Sequence, residues 1–331
     1  MCIRDRASVD ANKFRYGYPW IYSNEIISDR RTKSLLPGSF CKLVDYNKSP
    51  VCLVTVNPKS KIFARVMDFN FETAVDAYWL KDKITKALAK RKEIFRDPFY
   101  RLVNAEADEL PGLIVDRFDN VIVMQPNAFW AENMSEIIAN SIKEVCSIDV
   151  VIKNASGRSR RLEGLDDKNL VFFGDLPETA ISVPMNGAIY KADVHEGQKT
   201  GLFYDQRQNH KFVASLANGK TVLDVFCHVG GFGLAAIAAG ASKVSFVDSS
   251  ANALDLVRES AYEMMVSSKM NIIKGDAFSV LRKLLESDNS YDIVICDPPA
   301  FVTSRKSLNS CLLYTSPSPR DATLSRMPSS A

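Results

Sequence analysis

The sequence predicts a multidomain chain of mixed α/β and α+β class, ending in a parallel, doubly wound sheet. Three observations carry this. Strands alternate with helices from about Ile189 onward, short apolar runs lie between turn-formers in the first seventy residues, and the middle third mixes a hairpin with amphipathic helices. A chain of 331 residues has room for two or three such units.

Residues 14 to 68 read as a small β-rich barrel. Its apolar runs are Ser39 to Asp45, Val51 to Val56 and Ile62 to Met67, separated by Pro37-Gly38, Asn47-Lys48 and Asn57-Pro58. Tyr18-Pro19-Trp20-Ile21-Tyr22 is an aromatic plug for its core, or in part a face on which RNA bases could stack. Thr73 to Arg96 reads as a strongly basic helix, with Lys81, Lys83, Lys86, Lys90, Arg91, Lys92 and Arg96. A solvated face is the plain reading of such a helix and phosphate contact the alternative.

The middle third begins with a hairpin from Leu113 to Gln125 that turns at Asp119-Asn120. Residues 129 to 145 follow as one amphipathic helix, then Val150 to Lys153 as a strand. Arg158, Arg160 and Arg161 sit on what reads as a basic loop beside Gly157 and Gly164, the better candidate for phosphate contact.

The C-terminal half alternates regularly. Thr221 to Phe226, Val244 to Val247, Met270 to Ile273 and Tyr291 to Cys296 are strands; Gly233 to Ala239, Ala251 to Met265 and Phe278 to Leu285 are helices. Ligands of such sheets bind beyond the carboxyl ends of the strands, so the residues there are the informative ones.

After the first strand come Asp224, Phe226, Gly230 and Gly231 in a glycine-rich turn that opens a helix. Glycine lets backbone approach a ligand, and a helix N-terminus favours anionic groups. Asp224 could take an ammonium group, directly or through water. Gly231, Gly233 and Ala236 also satisfy a permissive dinucleotide fingerprint, so a nicotinamide-dependent reductase stays open. Asp248, followed by Ser249, can accept two ribose hydroxyls in either kind of enzyme. Asp276 is placed for an adenine amino group and the Ala277 N–H for a ring nitrogen; the competing role of Asp276 is a helix cap. Asp297-Pro298-Pro299-Ala300-Phe301 puts an acid on a stiff loop past the fourth strand. That suits holding a nucleobase edge near a methyl donor, and a dehydrogenase has no use for it there.

Together these segments resemble the class I S-adenosylmethionine-dependent rRNA methyltransferases of the PUA-domain-containing, large-subunit cytosine-5 family. The resemblance runs from about Phe14 to Leu308. It rests on Tyr18 to Ser23, on Arg101 to Phe118, on Gly197 to Arg207, and on Asp-Pro-Pro-Ala-Phe, found in that order. It implies an N-terminal PUA-like β-barrel over residues 7–70, a central α+β domain with its basic linker helix over 73–182, and a Rossmann-like methyltransferase domain over 183–308. It also implies that Thr200, Gly201, Phe203, Asp205, Gln206 and Arg207 line the cofactor site. Asp297 is then the catalytic acid, with Pro298, Pro299, Phe301, Arg158, Arg160 and Arg161 facing a ribosomal RNA substrate.

In such enzymes a cysteine thiolate adds to C6 of cytosine, which makes C5 nucleophilic, and a base later removes the C5 proton. That cysteine is expected on a loop after a fifth strand. No such segment is read here, so the methyltransferase domain is expected to be incomplete and inactive as it stands. Cys227 and Cys296 are both poor substitutes, Cys296 being read as a buried strand thiol. Met1 to Arg6 and residues 309–331 resemble translated sequencing-adaptor text, without a place in the fold. Methylation at another atom, such as guanine N7, and a non-catalytic RNA-binding protein remain the other readings.

Composition sets outer bounds. The formal net charge is only +3, so any RNA-binding surface must be local. Seven cysteines are scattered singly, without C-x-x-C, and three histidines form no ligand cluster, so neither disulfides nor a metal is expected. No apolar run is long enough to span a bilayer and no signal peptide is read, so a cytoplasmic protein is expected.

Overall fold

The computed structural model describes residues 2–4, 12–194, 200–287 and 289–299. Phe301, the segment 195–199 and everything from residue 300 onward lie outside the described residues.

The N-terminal unit is one five-stranded sheet. Its elements are β1 (Cys2–Arg4), α1 (Asn12–Arg15), β2 (Trp20–Tyr22), α2 (Arg30–Lys33), β3 (Phe40–Val44), β4 (Pro50–Val56) and β5 (Ile62–Asp68), with strand order β1-β3-β4-β5-β2. Residues 2–4 correct an expectation. They pair in parallel with β3 and bury Ile3 in the core, because a strand edge is best covered and Ile3 alternates inward. Ile21 of the aromatic cluster is wholly buried, whereas Tyr18 is 39% exposed, so the cluster is only partly a core plug.

The central unit comprises α3 (Ala77–Ile94), β6 (Phe99–Asn104), β7 (Leu113–Phe118), β8 (Val121–Pro126), α4 (Phe129–Asn133), α5 (Ser135–Cys146), β9 (Val150–Lys153), α6 (Arg158–Glu163) and β10 (Leu170–Phe173). Strand order is β10-β9-β8-β7-β6, with only β8 and β9 parallel. The hairpin turns at Asp119, whose φ of 55° is left-handed. The expected single helix over 129–145 is two helices broken at Met134.

Helix α3 starts at Asp76, whose carboxylate accepts the Trp79 N–H at 2.9 Å and caps it. Much of its positive charge is already matched: Lys81 pairs with Glu144, Lys83 with Glu109, Lys86 with Asp82 and Arg91 with Asp108. The solvated reading of that face is therefore the better one.

The central sheet is buried on both faces, and strand alternation shows why. Val115, Ile122, Met124 and Val151 meet Leu80, Ile84, Ile138 and Ile142 of α3 and α5. Phe118, Val123 and Ile152 point the other way and share one core with Tyr190, Leu202 and Tyr204 of the C-terminal unit. Each large side chain so buried contributes roughly 1.5–3 kcal/mol, which welds the two units together.

Charged hydrogen bonds fasten the N-terminal sheet to the central unit. Arg65 of β5 reaches Glu163 and Glu106, Asn57 Nδ2 donates to Glu163 at 2.6 Å, and Trp20 Nε1 donates to Glu106 at 2.8 Å.

The C-terminal unit opens with a hairpin, β11 (Ile181–Met185) and β12 (Ala188–Ala192), followed by α7 (Arg207–Ser215). Then come β13 (Thr221–Val225), α8 (Gly231–Ala238), β14 (Lys243–Asp248), α9 (Ala251–Glu263), β15 (Met270–Lys274), α10 (Ala277–Glu286) and β16 (Ile293–Cys296). The sheet is parallel throughout, in the order β15-β14-β13-β16. Order reverses at β13, so the crevice between β13 and β16 is its topological switch point.

Arg158, Arg160 and Arg161 lie on α6, not on a loop, and Arg160 corrects its expected role. Its side chain is 1% exposed, donates to Glu132 at 2.8 Å and to the carbonyls of Pro126 and Asp166, and cannot face RNA. The helical turn swings residue 160 inward while 158 and 161 stay exposed. Replacing Arg160 with Met should leave Glu132 with Lys153 as its only cation among the described residues and the Pro126 and Asp166 carbonyls without their donor, lowering stability by about 1–3 kcal/mol. A urea-unfolding midpoint equal to wild type would contradict this burial account.

Candidate cofactor site

The turn after β13 is strained. Phe226 and His228 have φ of 62° and 49°, and Gly230 has 81°. Left-handed backbone costs an ordinary L-residue roughly 1–3 kcal/mol, so the surroundings must enforce it. They do so with three hydrogen bonds: Cys227 N–H to Val247 O at 3.1 Å, Gly230 N–H to Cys227 O at 2.8 Å, and His228 N–H to Asp248 Oδ2 at 2.9 Å.

Two acids organise this turn from neighbouring strands. Gly230 is the N-cap of α8 and has no side chain to offer. Asp224 replaces it: its Oδ2 accepts the Gly233 N–H at 2.8 Å from the end of β13. Asp248 holds the turn with one oxygen and accepts the Ser250 N–H at 2.9 Å with the other. The cap of α9 falls to Ser250, which accepts from Ala253, so Asp248 is not used as a cap; Ser249 is exposed.

The glycines differ from expectation. A Cβ on Gly231 would lie 2.6 Å from the His210 ring, and one on Gly233 would lie 2.2 Å from Phe246. Both are required by protein packing, not by ligand approach. Gly230 is required by its φ.

Because Val225 pairs with Cys296, the turn that starts at Phe226 and the loop that starts at Asp297 leave adjacent strands side by side. Asp297, Pro298 and Pro299 are all exposed there. Asp276 caps α10, accepting the Ser279 N–H at 2.9 Å, which is the competing role weighed for it. Ala277 is buried, and Phe278 meets the Phe226 ring edge-on at 6.4 Å. No spacing in the chain pairs those two rings; the ends of β13 and β15, which flank β14 in the sheet, bring them together.

Residues 200–207 divide. Phe203 reaches the turn, its ring 4.9 Å from that of His228. Thr200 and Arg207 point away. Thr200 is wholly buried and donates to Asp116 Oδ2 at 2.6 Å, and Arg207 donates to the Phe99 carbonyl at 2.8 Å. Neither side chain lines the crevice. Gly201 is buried against the Asp193 backbone, Asp205 is exposed and Gln206 half-buried. His210, not anticipated, is 3% exposed beneath Gly231, and burial pushes its imidazole down to about 4.

The thiols also sort. Cys296 corrects an expectation: it is exposed, because β16 has β13 on one side and no further strand on the other among the described residues. Cys227 is buried, and burial pushes its thiol far up; burial and Asp297 raise that of Cys296. Among the described residues no three His, Cys, Asp or Glu side chains group as a metal site, and no helix is long and apolar enough to cross a membrane.

Residues 164–312 match the family model of an S-adenosylmethionine-dependent methyltransferase, and residues 8–69 match that of a PUA-like domain. The ribosomal RNA large subunit methyltransferase I of Shewanella denitrificans is 32% identical over 296 residues, which is 88% of this chain and 74% of the relative. That of Aliivibrio fischeri is 33% identical over 299 residues, 89% of this chain and 75% of the relative. The chain belongs to this methyltransferase family.

The fold agrees. A Streptococcus mutans protein described as a SAM-dependent methyltransferase superposes with a TM-score of 0.78 at 18% identity, over 90% of this chain and 77% of the other. A methyltransferase structure complexed with SAH matches with the same TM-score and identity, over 92% and 77%. A PUA-like N-terminal domain and a C-terminal methyltransferase domain are thus borne out, and membership of this family removes the nicotinamide-dependent reading. The cofactor of this family is S-adenosylmethionine.

The residues present fit that cofactor. Asp224 is 1% exposed, and among the described residues Gly233 is its one hydrogen-bond donor and no cation pairs with it. Burial, and then the nearby Asp297 and Asp248 charges, push its carboxyl up to about 7. A buried carboxylate short of a counter-charge has the chemistry to take an ammonium group such as that of the cofactor.

The sign of the pH effect follows. An acid raised above its unfolded value of 3.8 stabilises the free protein fully below that value and loses the contribution as pH rises through about 7. An ammonium ligand prefers the ionised acid, so its affinity should climb over the same range and level off above about pH 7. Calorimetry with S-adenosylhomocysteine should show this climb in wild type and a weak, flat profile in Asp224→Asn. A flat wild-type profile would remove Asp224 from the role.

Proposed function

We propose that this chain transfers the methyl group of S-adenosylmethionine to a base in large-subunit ribosomal RNA, at C5 of a cytosine. The observation that carries the reading is the crevice at the strand-order reversal. One wall is the Asp224–Asp248 turn and the other an exposed Asp297-Pro298-Pro299. The family to which the chain belongs supports an RNA substrate.

The cofactor supplies an electrophilic methyl group. Within the chain, Asp224 would balance the cofactor ammonium, reached through a bridging water given its burial. Asp248 would meet the ribose hydroxyls while keeping the turn closed. Ala277, Phe226 and Phe278 would bound the adenine. Asp297, stiffened by two prolines without N–H donors, would hold the edge of the target base. Residues 7–70 and 73–182 would carry the RNA beside the cofactor domain at 183–308, with Arg158 and Arg161 on exposed α6 touching phosphate. The site of action would be the cytoplasm, where ribosomal RNA is made.

The resemblance of the ordered motifs supports C5. One observation favours guanine N7 as a second reading: the two thiols at the ends of β13 and β16, Cys227 and Cys296, are both shifted towards the protonated form, and N7 needs no thiolate.

Methyl-labelled S-adenosylmethionine and large-subunit RNA lacking its native methyl groups test this, with nucleoside mass spectrometry of the product. The expected product is 5-methylcytidine. Label found as 7-methylguanosine would overturn the choice of atom, and no label in the RNA would overturn the substrate. Asp297→Asn should slow transfer about a hundredfold or more. Arg161→Ala should weaken RNA binding by an amount that shrinks as salt rises.

A further inference from the structure

The segment from Thr200 to Arg207 lies between two domains, and its side chains split between them. Three contacts bind it to the central sheet. The Thr200 hydroxyl donates to Asp116 Oδ2 at 2.6 Å, the Tyr204 hydroxyl to the Arg117 carbonyl at 3.0 Å, and Arg207 Nη1 to the Phe99 carbonyl at 2.8 Å. Arg207 also lies over the Phe95 ring at 4.4 Å. Asp116 is itself fixed: wholly buried on β7, it takes both Nε and Nη2 of Arg101 on β6, at 2.9 and 3.1 Å.

From this anchored segment Phe203 projects the other way, onto His228 at 4.9 Å. His228 has left-handed backbone, and its N–H donates to Asp248 Oδ2. A continuous path of contacts therefore runs from Arg101 through Asp116, Thr200 and Phe203 to His228 and Asp248. Gly201 keeps the path tight, since a Cβ there would lie 2.6 Å from the Asp193 carbonyl oxygen.

We propose that the central domain sets the geometry of the cofactor turn, with Asp116 and Thr200 as positioning residues and Phe203 as the element they aim. Thr200 is wholly buried with its hydroxyl on Asp116; it acts by fixing where Phe203 meets His228. A domain assigned to RNA handling thereby also governs cofactor affinity. The strained turn needs such a brace, because its own sheet supplies only backbone bonds and Asp248. This rests on the reading of that turn as the cofactor site.

Thr200→Val is the informative variant, because Asp116 keeps its bidentate Arg101 and no buried charge is left unpaired. Calorimetry on the full chain uses S-adenosylhomocysteine as the probe. Thr200→Val should bind about tenfold more weakly, a typical size for coupling between sites. Thr200→Ser should restore wild-type affinity. Phe203→Ala should lose a similar amount, and Thr200→Val added to Phe203→Ala should cost little more, since both lie on one path.

Hydrogen exchange on the free protein separates positioning from mere support. Peptides over 226–230 should exchange faster in Thr200→Val, while those of β6 and β7 stay as in wild type. Equal affinity for Thr200→Val and wild type would overturn the proposal, as would fully multiplying losses or exchange that rises throughout β6 and β7. If wild type itself does not bind the probe, the reading of the turn as the cofactor site fails instead.

Discussion

The cofactor edge depends on a turn that its own residues would not adopt unaided. Phe226 and His228 stay in left-handed backbone through two backbone hydrogen bonds and one carboxylate, Asp248, which reaches His228 from the next strand. The parallel register of β13 with β14 places that carboxylate there, pairing Val225 with Val247. The neighbouring acid, Asp224, ties down the first turn of α8, which a glycine N-cap leaves without a side-chain partner. Once the turn is closed, the loops after β13 and β16 stand side by side at the strand-order reversal and bound one crevice.

The same logic explains why the domains are not independent. The central sheet buries one face against its own helices and the other against the C-terminal unit. An apolar seam of that kind is strong but not directional. Direction comes from the few buried polar contacts inside it, above all Asp116 with Arg101 and Thr200. Buried polar groups without partners are costly, so such contacts admit one register and reject others. The N-terminal sheet is joined by a charged junction of Arg65, Glu163, Glu106 and Trp20, beside Leu53 and Met67, which enter the central core.

Local pattern made much of the site legible. Alternation and period placed nearly every strand and helix of the C-terminal half within a few residues, because those signals depend on which side of an element faces the core. The acids at strand ends could be named because a parallel sheet puts its ligands there. Other readings failed for one common reason. Arg160 looks like an RNA-facing residue until α6 turns it onto Glu132, 28 residues away in sequence. Thr200 looks like a site residue until β7 supplies Asp116, 84 residues away. Cys296 looks buried in an apolar strand until the strand proves to have one side open among the described residues.

The sequence by itself determined the classes of element, their order, and the acids at the strand ends, all of which follow from nearest neighbours along the chain. Tertiary structure alone decided what each acid and glycine is for. Asp248 holds a strained turn, Asp276 caps a helix, Gly231 and Gly233 make room for His210 and Phe246, and Asp116 takes the Thr200 hydroxyl from another domain. Apart from the Asp276 cap, those roles are set by partners brought close by the fold, and a hydrogen bond or a van der Waals contact of that kind has no signature in a chain until its two ends meet.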